Sequence, residues 1–297
     1  YTSPSWKGID QEFNIPKIKA INTDKKNVVI VGAGPSGLFS ALTLVQNGIF
    51  PIVIEQGESV ENRKISVDKF LKNGNLNVLS NVQFGEGGAG TFSDGKLTTG
   101  INSPYCKKVL QEFVNFGAPE QILYLSKPHI GTDNLINIIK NIRNYIISKG
   151  GSFLFNTKVV DFNIINGKII SVSCLNKDNL QKISASHVIL AIGHSSRDTF
   201  YMLNDKGITM TQKPFSVGVR IEHSQKMINK SQYGKFADLL PPAEYKLNVK
   251  VSNGRGVYTF CMCPGGVVVP AASEDGYLAV NGMSYYKRSL PNANSAV

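Results

Sequence analysis

The 297-residue sequence has few cysteines and no long apolar run. Its four cysteines, Cys106, Cys174, Cys261 and Cys263, are too few and too scattered for a disulphide scaffold, so we expect a reducing, cytoplasmic setting. No apolar stretch reaches the length of a membrane-spanning helix. The beginning of the sequence also lacks the charged-then-apolar pattern of a secretion signal. These absences exclude a disulphide-rich secreted module and predict no membrane partner.

Acidic residues are outnumbered, with 21 Asp and Glu against 32 Lys and Arg, which gives a formal charge of +11. Such an excess can attract nucleic acid or another anionic surface. However, no run of five like charges occurs, and the lysines are scattered. Two explanations stay open, a compositional bias on a solvated surface and attraction of an anionic cofactor or substrate. We predict no nucleic-acid partner.

A glycine turn follows a β-branched run near the start of the chain. Val28–Val31 predicts a buried parallel strand, and Gly32-Ala33-Gly34-Pro35-Ser36-Gly37 has the form G-x-G-x-x-G. Gly32 allows a sharp turn, Gly34 allows a pyrophosphate to approach the backbone, and Gly37 allows the next helix to pack closely. The pattern predicts an adenine-dinucleotide site at the start of a helix over about 35–46.

A second strand ends at Glu55, twenty-three positions after Gly32. An acid at that distance can accept hydrogen bonds from a ribose diol and disfavours a 2′-phosphate, so NADP is not expected here. The alternative is an ordinary βαβ unit with a coincidental glycine turn.

A second glycine-rich loop spans 85–97. Gly90 and Gly95-Lys96 approach the nucleoside-triphosphate motif, but Leu97 stands where that motif needs a Mg²⁺-binding Ser or Thr. We therefore expect backbone N–H groups of this loop near a second part of the cofactor. Thr91 and Ser93 would add hydroxyls, and Lys96 would meet phosphate or the reactive ring. The alternative is a plain surface loop.

The pattern along the chain predicts three parts: an N-terminal arm or linker over 1–26, a dinucleotide-binding domain over 27–200 and a partial, β-rich substrate-side domain over 201–297. Asp133 is expected to cap a helix. Asn166-Gly167 predicts the turn of an inserted antiparallel β-meander, and Val188–Ile192 predicts a further buried strand. The fold class is therefore α/β, a Rossmann-type domain with an inserted β-meander, plus an incomplete β-rich α+β domain. We expect the chain to be part of a longer protein.

Several segments resemble the uncharacterised FAD-dependent dehydrogenases of the bacterial NAD(FAD)-utilising group, within the glutathione-reductase-type flavoproteins. They are the dinucleotide unit and the segments 81–99, 127–133, 188–198 and 260–266. The resemblance covers nearly all of the chain after about residue 27. It implies FAD rather than NAD at the first site, and NAD(P)H is a possible reductant.

The resemblance also implies roles for single residues. Gly32, Gly34 and Gly37, with Ala33, Pro35 and Ser36 between them, would hold the pyrophosphate, and Glu55, beside Gln56, would bind the ribose. Arg63 is similar to the family's basic residue near the phosphates. Val159 is similar to the position whose backbone meets the adenine, and Ala191 and Gly193 belong to the turn beside the first strand. The family's later glycine-rich segment, which meets the flavin ring, has no counterpart before Val297.

No catalytic residue is assigned, because a flavin itself supplies the redox chemistry. Cys261 and Cys263 would point the same way in a regular strand, as functional thiols or a structural pair. His129 and His194 are either structural or proton-transferring, and Arg220 and Glu222 are either solvated or substrate-facing. No metal site is predicted.

Three functions stay open. The first is an FAD-dependent oxidoreductase that transfers hydride or electrons between flavin and a small molecule. The second is a flavin-binding protein without turnover of its own, such as a regulatory or RNA-modification partner. The third is an NAD-dependent dehydrogenase.

Overall fold

The computed structural model describes residues 27–101 and 103–297, and the predicted arm over 1–26 lies outside them. The six α-helices in the described residues are α1 (Pro35–Gln46), α2 (Val60–Asn73), α3 (Pro104–Asn115), α4 (Thr132–Ser148), α5 (Arg197–Asp205) and α6 (Gln225–Tyr233). The strands are β1 (Val28–Val31), β2 (Ile52–Ile54), β3 (Ser152–Leu154), β4 (Thr157–Ile165), β5 (Lys168–Asn176), β6 (Asn179–Ser184), β7 (His187–Leu190), β8 (Arg220–Ser224), β9 (Asn248–Lys250), β10 (Gly256–Tyr258), β11 (Phe260–Cys263), β12 (Gly266–Pro270), β13 (Val280–Ser284) and β14 (Asn292–Ala296).

A four-stranded parallel sheet in the order β3-β2-β1-β7 forms the centre of the first region. All four residues of β1 are buried, because β1 lies between two neighbours and is covered on both faces. One face packs against α1 and α4 through an apolar cluster that includes Ile30, Leu42 and Ile142. The α/β class and the Rossmann-type parallel sheet predicted from the sequence are confirmed.

The other face of the parallel sheet is covered by an antiparallel meander of β4, β5 and β6, together with α5. The Asn166-Gly167 turn between β4 and β5 has φ values of 51° and 73°, as the predicted hairpin requires. The sequence interpretation missed β6, because its residues are largely exposed and do not alternate apolar and polar side chains. The sheet is thus enclosed between a helical layer and a β layer.

The prediction that Asp133 caps α4 is wrong. Gly131 occupies the N-cap position, with a φ of 79°, and Asp133 lies in the first turn. The Asp133 carboxylate instead accepts a hydrogen bond from the backbone N–H of Tyr286 at 2.9 Å. The short polar side chain therefore joins the helix start to a distant segment.

After α5 the chain forms smaller antiparallel sheets. Strands β8, β14 and β11 form one sheet, while β12 pairs with β13 and β9 with β10. α6, which the sequence interpretation missed, follows β8 directly. Among the described residues, no helix has the length and apolar character needed to cross a membrane.

Candidate functional site

A cavity of about 640 Å³ opens at the carboxyl ends of β1, β2 and β7. The chain leaves β1 towards β2 on one side, whereas β7 lies on the other side of β1. Crevices at such a reversal of strand order are where open α/β sheets bind ligands. The first glycine turn, the second glycine-rich loop and α5 all contribute to the walls.

The three glycines of the first turn differ in how much space the fold leaves for a side chain. A Cβ at Gly32, where φ is +101°, would lie 2.4 Å from the Ala191 carbonyl oxygen, and one at Gly37 would lie 1.9 Å from the Gly32 carbonyl oxygen. A Cβ at Gly34 would approach, among the described atoms, only Gly88 Cα at 3.8 Å. The fold therefore requires Gly32 and Gly37 but has room for a side chain at Gly34. Because Gly34 lines the cavity, a side chain there would compete with a ligand.

The start of α1 points its positive end at the cavity. Gly34 is the N-cap residue without a side-chain hydrogen bond, Pro35 occupies the first turn and no acid lies in that turn. The first N–H groups of a helix have no partner within the helix, and its dipole favours negative charge there. Ser36 lines the cavity beside these groups. The arrangement suits a phosphate.

Glu55 organises three backbone segments around the cavity. One of its oxygens accepts from the N–H of Ala33 at 2.8 Å, and the other accepts from Gly57 at 2.9 Å and Gly85 at 3.1 Å. Glu55 is only 6% exposed, yet it belongs to the cavity wall. A carboxylate has about four acceptor positions, so Glu55 keeps capacity for a further donor such as a hydroxyl.

Arg63 is fully buried and does not line the cavity. Its guanidinium donates to four carbonyl oxygens: those of Asn81 (2.9 Å) and Val82 (3.1 Å), just before the second glycine-rich loop, and those of Gly85 (3.3 Å) and Glu86 (2.6 Å), its first two residues. Burial lowers the pKa of Arg63 to about 10, an effect opposed by the charges of Glu55 and Glu86. Arg63 thus fixes the conformation of the start of the second glycine-rich loop from the protein interior.

The structure brings ten of the sixteen predicted cofactor residues to the cavity wall. They are Gly32, Gly34, Pro35, Ser36, Glu55, Gln56, Gly90, Val159, Ala191 and Gly193. Ala33 and Gly37 lie buried within the first turn. The other four, Arg63, Thr91, Ser93 and Lys96, are not part of the wall.

The last three of these belong to the second glycine-rich loop. Thr91 is buried, and its hydroxyl has no hydrogen-bond partner among the described residues. Ser93 donates its hydroxyl to the Gly90 carbonyl at 2.6 Å. Lys96 donates to the Met262 carbonyl and lies 3.7 Å from Glu244. Lys96 therefore joins the loop to the C-terminal region.

Sequence reasoning predicted Ala191 and Gly193 in the turn after β7 and named His194 as a candidate, but it missed the wall formed by α5 and the residues just before it. These are Ser195, Ser196, Thr199, Phe200 and Leu203. Thr199 and Leu203 are spaced by one helical turn after Ser196, which is the N-cap residue of α5. That spacing could have predicted the helix, although not its position beside the adenine-dinucleotide turn.

The remaining candidate residues lie outside the cavity wall, apart from His194. The prediction that Cys261 and Cys263 share a side is wrong: Cys261 is exposed with a φ of 49°, Cys263 is buried, and β11 is irregular between them. All four cysteines are free thiols. His129 Nε2 lies 2.9 Å from the Tyr286 carbonyl oxygen and its ring stacks on Tyr286, which favours a structural role.

The first region matches a known protein family. The model of the pyridine nucleotide-disulphide oxidoreductases matches residues 26–231. The chain belongs to this family. The model of the "FAD-dependent protein, C-terminal domain-like" family matches residues 214–297 of this oxidoreductase family member. The broader flavoprotein resemblance seen in the sequence is confirmed.

An uncharacterised protein of Clostridium beijerinckii (strain ATCC 51743 / NCIMB 8052) is 49% identical over 97% of the chain. The chain spans 55% of that relative's length. Among solved structures, Thermovibrio ammonificans THI4 has a TM-score of 0.42 and 16% identity, with 62% of this chain and 64% of THI4 covered. The glycerol-3-phosphate dehydrogenase of Bacillus halodurans, complexed with FAD, has a TM-score of 0.42 and 15% identity, with 91% and 50% covered.

Proposed function

We propose that this chain holds FAD in the cavity beside β1 and forms part of an FAD-dependent oxidoreductase of the NAD(FAD)-utilising dehydrogenase group. The observation on which the proposal rests is Gly34, which lines the cavity although the fold leaves room for a side chain there. The family membership and the uncapped start of α1 support the same ligand.

The residues present fit the cofactor. The N–H groups after Gly34 would meet the pyrophosphate, Glu55 would accept from the ribose, and Val159 with Ala191 would flank the adenosine. FAD would supply transfer of a hydride or of electrons, while the protein supplies position and electrostatics. Arg63 would affect FAD binding indirectly. Its guanidinium binds carbonyl groups at and just before the start of the second glycine-rich loop and so fixes the loop's conformation beside the cavity.

The other components of the reaction are proposed from the family. We propose a small-molecule substrate or electron partner and NAD(P)H as a candidate reductant of the flavin. Four free thiols agree with a reducing, cytoplasmic setting. Lys96 and Ser93 connect the second glycine-rich loop internally and to the C-terminal region, so we propose for them a part in placing the flavin-facing end of the loop.

The full-length protein tests the proposal directly. It should purify yellow and release FAD on denaturation, and anaerobic NADH or NADPH should bleach the bound flavin. If FAD is bound but neither nucleotide reduces it, the protein would be an FAD-binding protein whose flavin is reduced by another donor or by none. A colourless protein that binds NADH in this cavity would contradict the proposal.

Gly34→Val tests the position of the pyrophosphate. The branched side chain would enter the cavity, so FAD affinity should fall by at least about tenfold while the fold is retained. Gly256→Val is the matched control, because Gly256 lies in β10 with open space around it and outside the cavity wall. Titration of the apoproteins with FAD, beside circular dichroism, measures both. Undiminished FAD binding in a folded Gly34→Val protein would show that the pyrophosphate lies elsewhere.

A further inference from the structure

Glu86, the second residue of the glycine-rich loop, is completely buried and holds that loop against two helices. Its Oε2 accepts from the backbone N–H of Val60, at the start of α2, at 2.7 Å and from Arg143 Nη1, on α4, at 2.5 Å. Its backbone carbonyl accepts from Arg63, and its own N–H donates to the Glu58 carbonyl at 3.1 Å. The geometry of the loop therefore depends on this residue.

The two carboxylate oxygens of Glu86 are unequal. Oε2 has two donors, whereas Oε1 is buried and has no hydrogen-bond partner among the described residues. A buried carboxylate with one bare oxygen is poorly compensated for its charge. A proton on Oε1 would remove that charge and leave both contacts of Oε2 in place. Oε1 is thus a suitable place for a proton.

The charges around Glu86 do not compensate for this deficit. Arg143 from α4 is the cation that contacts it, and Arg143 also donates to both oxygens of Glu61. The other ionisable groups near this interior are Arg63 from α2, Glu55 after β2, whose charge acts on Arg63, and Lys140, which lies 3.6 Å from Glu61. The Glu58 carboxylate accepts from Ser66, and only its backbone carbonyl meets Glu86. Burial raises the pKa of Glu86 to about 7, despite the lowering effects of the Val60 N–H and of Arg143.

The loop residues on both sides of Glu86 reach the cavity. Gly85 and Gly88 line its wall, and Gly85 donates to Glu55. A Cβ built at Gly88 would lie 3.2 Å from Gly34 Cα, so this loop packs directly on the proposed pyrophosphate turn. A dianionic ligand at that turn would raise the electrostatic cost of an ionised Glu86 across a dry, low-dielectric interior.

We propose that Glu86 is a positioning residue that couples binding of a diphosphate ligand in this cavity to uptake of one proton at Oε1. The inference rests on the proposed FAD site and adds a proton-linked control of its affinity. Protonation of Oε1 keeps the hydrogen bonds of Oε2 with the Val60 N–H and with Arg143. It removes the negative charge from the second glycine-rich loop, which packs on the proposed pyrophosphate turn. FAD affinity should therefore fall as the pH rises through about 7, by no more than about tenfold per pH unit, the limit for one proton.

The same change of ionisation affects the apoprotein. Because the folded-state pKa of Glu86 lies above its unfolded value of 4.5, its contribution to stability is fully present below pH 4.5 and is lost as the pH rises through about 7. Glu86→Gln mimics the neutral form, so the variant should be less sensitive than the wild type over that interval. This readout needs no bound cofactor.

Calorimetric titration of the full-length apoprotein with FAD at pH 7, in two buffers of different ionisation enthalpy, measures the proton uptake. The wild type should take up part of a proton, and Glu86→Gln should take up none from this site. Glu61→Gln is the matched control, since Glu61 shares Arg143 with Glu86. The Glu61 charge raises the pKa of Glu86, so this variant should move the inflection of FAD affinity to lower pH without removing it. Its uptake should persist.

Two results would overturn the inference: wild-type binding without proton uptake, and uptake that persists in Glu86→Gln. Absence of FAD binding in the wild type would instead contradict the proposed function. Arg143→Gln gives an independent test, because removing the cation should move the inflection of FAD affinity to higher pH. An unmoved inflection would assign the titration to another group.

Discussion

The two halves of this chain bury apolar side chains to very different extents. The four residues of β1 are at most 7% exposed, and the sheet around them is closed on both faces. In the C-terminal half, Phe215, Val217 and Leu239 are 85%, 83% and 80% exposed. The first region therefore encloses its central sheet with its own residues, whereas the second leaves much apolar surface uncovered.

The C-terminal half is nevertheless joined to the first by specific contacts. Arg288 pairs with Asp94 and is largely buried, and Tyr286 stacks on His129. A shared apolar cluster adds Val82 and Phe92 from the first half to residues of β12 and β13 such as Val269. The first half is therefore held together by hydrogen bonds among its own buried polar groups, and the second half depends on a few contacts with the first.

The largest expected loss of stability comes from a substitution in the interior of the first half. Arg63→Met removes the donors of four carbonyl oxygens and leaves those groups buried, so unfolding should become easier by about 4 kcal/mol or more. Arg63→Lys retains the charge but lacks the planar fork, so its loss should be intermediate. Denaturant unfolding of the apoprotein measures both. A wild-type midpoint in Arg63→Met would show that the loop does not need the guanidinium.

The sequence predicted the parts of the site that depend on local rules. A β-branched run, glycines at a sharp turn and an acid after the next strand specify β1, α1 and the position of Glu55 without knowledge of distant residues. Gly32 illustrates this well, because its positive φ belongs to the turn itself. The positive φ values at Asn166-Gly167 likewise followed from the residue types.

What the sequence could not show are partnerships between distant residues. The family resemblance implied that Arg63 lies near the phosphates, yet its guanidinium donates to carbonyl groups eighteen or more positions away along the chain. Lys96 meets Met262, 166 positions later. The wall formed by α5 depends on how β7 inserts beside β1. Such placements result from topology, which local periodicity does not encode.

The second expected effect weakens the contact between the halves. Arg288→Met removes both guanidinium hydrogen bonds to the buried Asp94 carboxylate and leaves it only Lys96, whose Nζ lies 3.8 Å away, so the loss should be about 2 to 3 kcal/mol. Arg197→Met is the control, because Arg197 pairs with Glu274 across the same boundary but is exposed, so its loss should be small. Thermal unfolding of both variants gives the comparison. Equal losses would mean that burial does not distinguish the two pairs.

The smallest expected effect concerns the uncovered surface of the C-terminal half. Leu239→Ser replaces a side chain that is 80% exposed, so the free energy of unfolding should change by no more than about 0.5 kcal/mol. Leu42→Ser in α1, where the side chain is 1% exposed, should cost several times more because it places an unpaired hydroxyl in the core. Unfolding of the full-length protein checks both. A large loss from Leu239→Ser would reveal that Leu239 is covered in that protein, and the contrast between the halves would then belong to this chain alone.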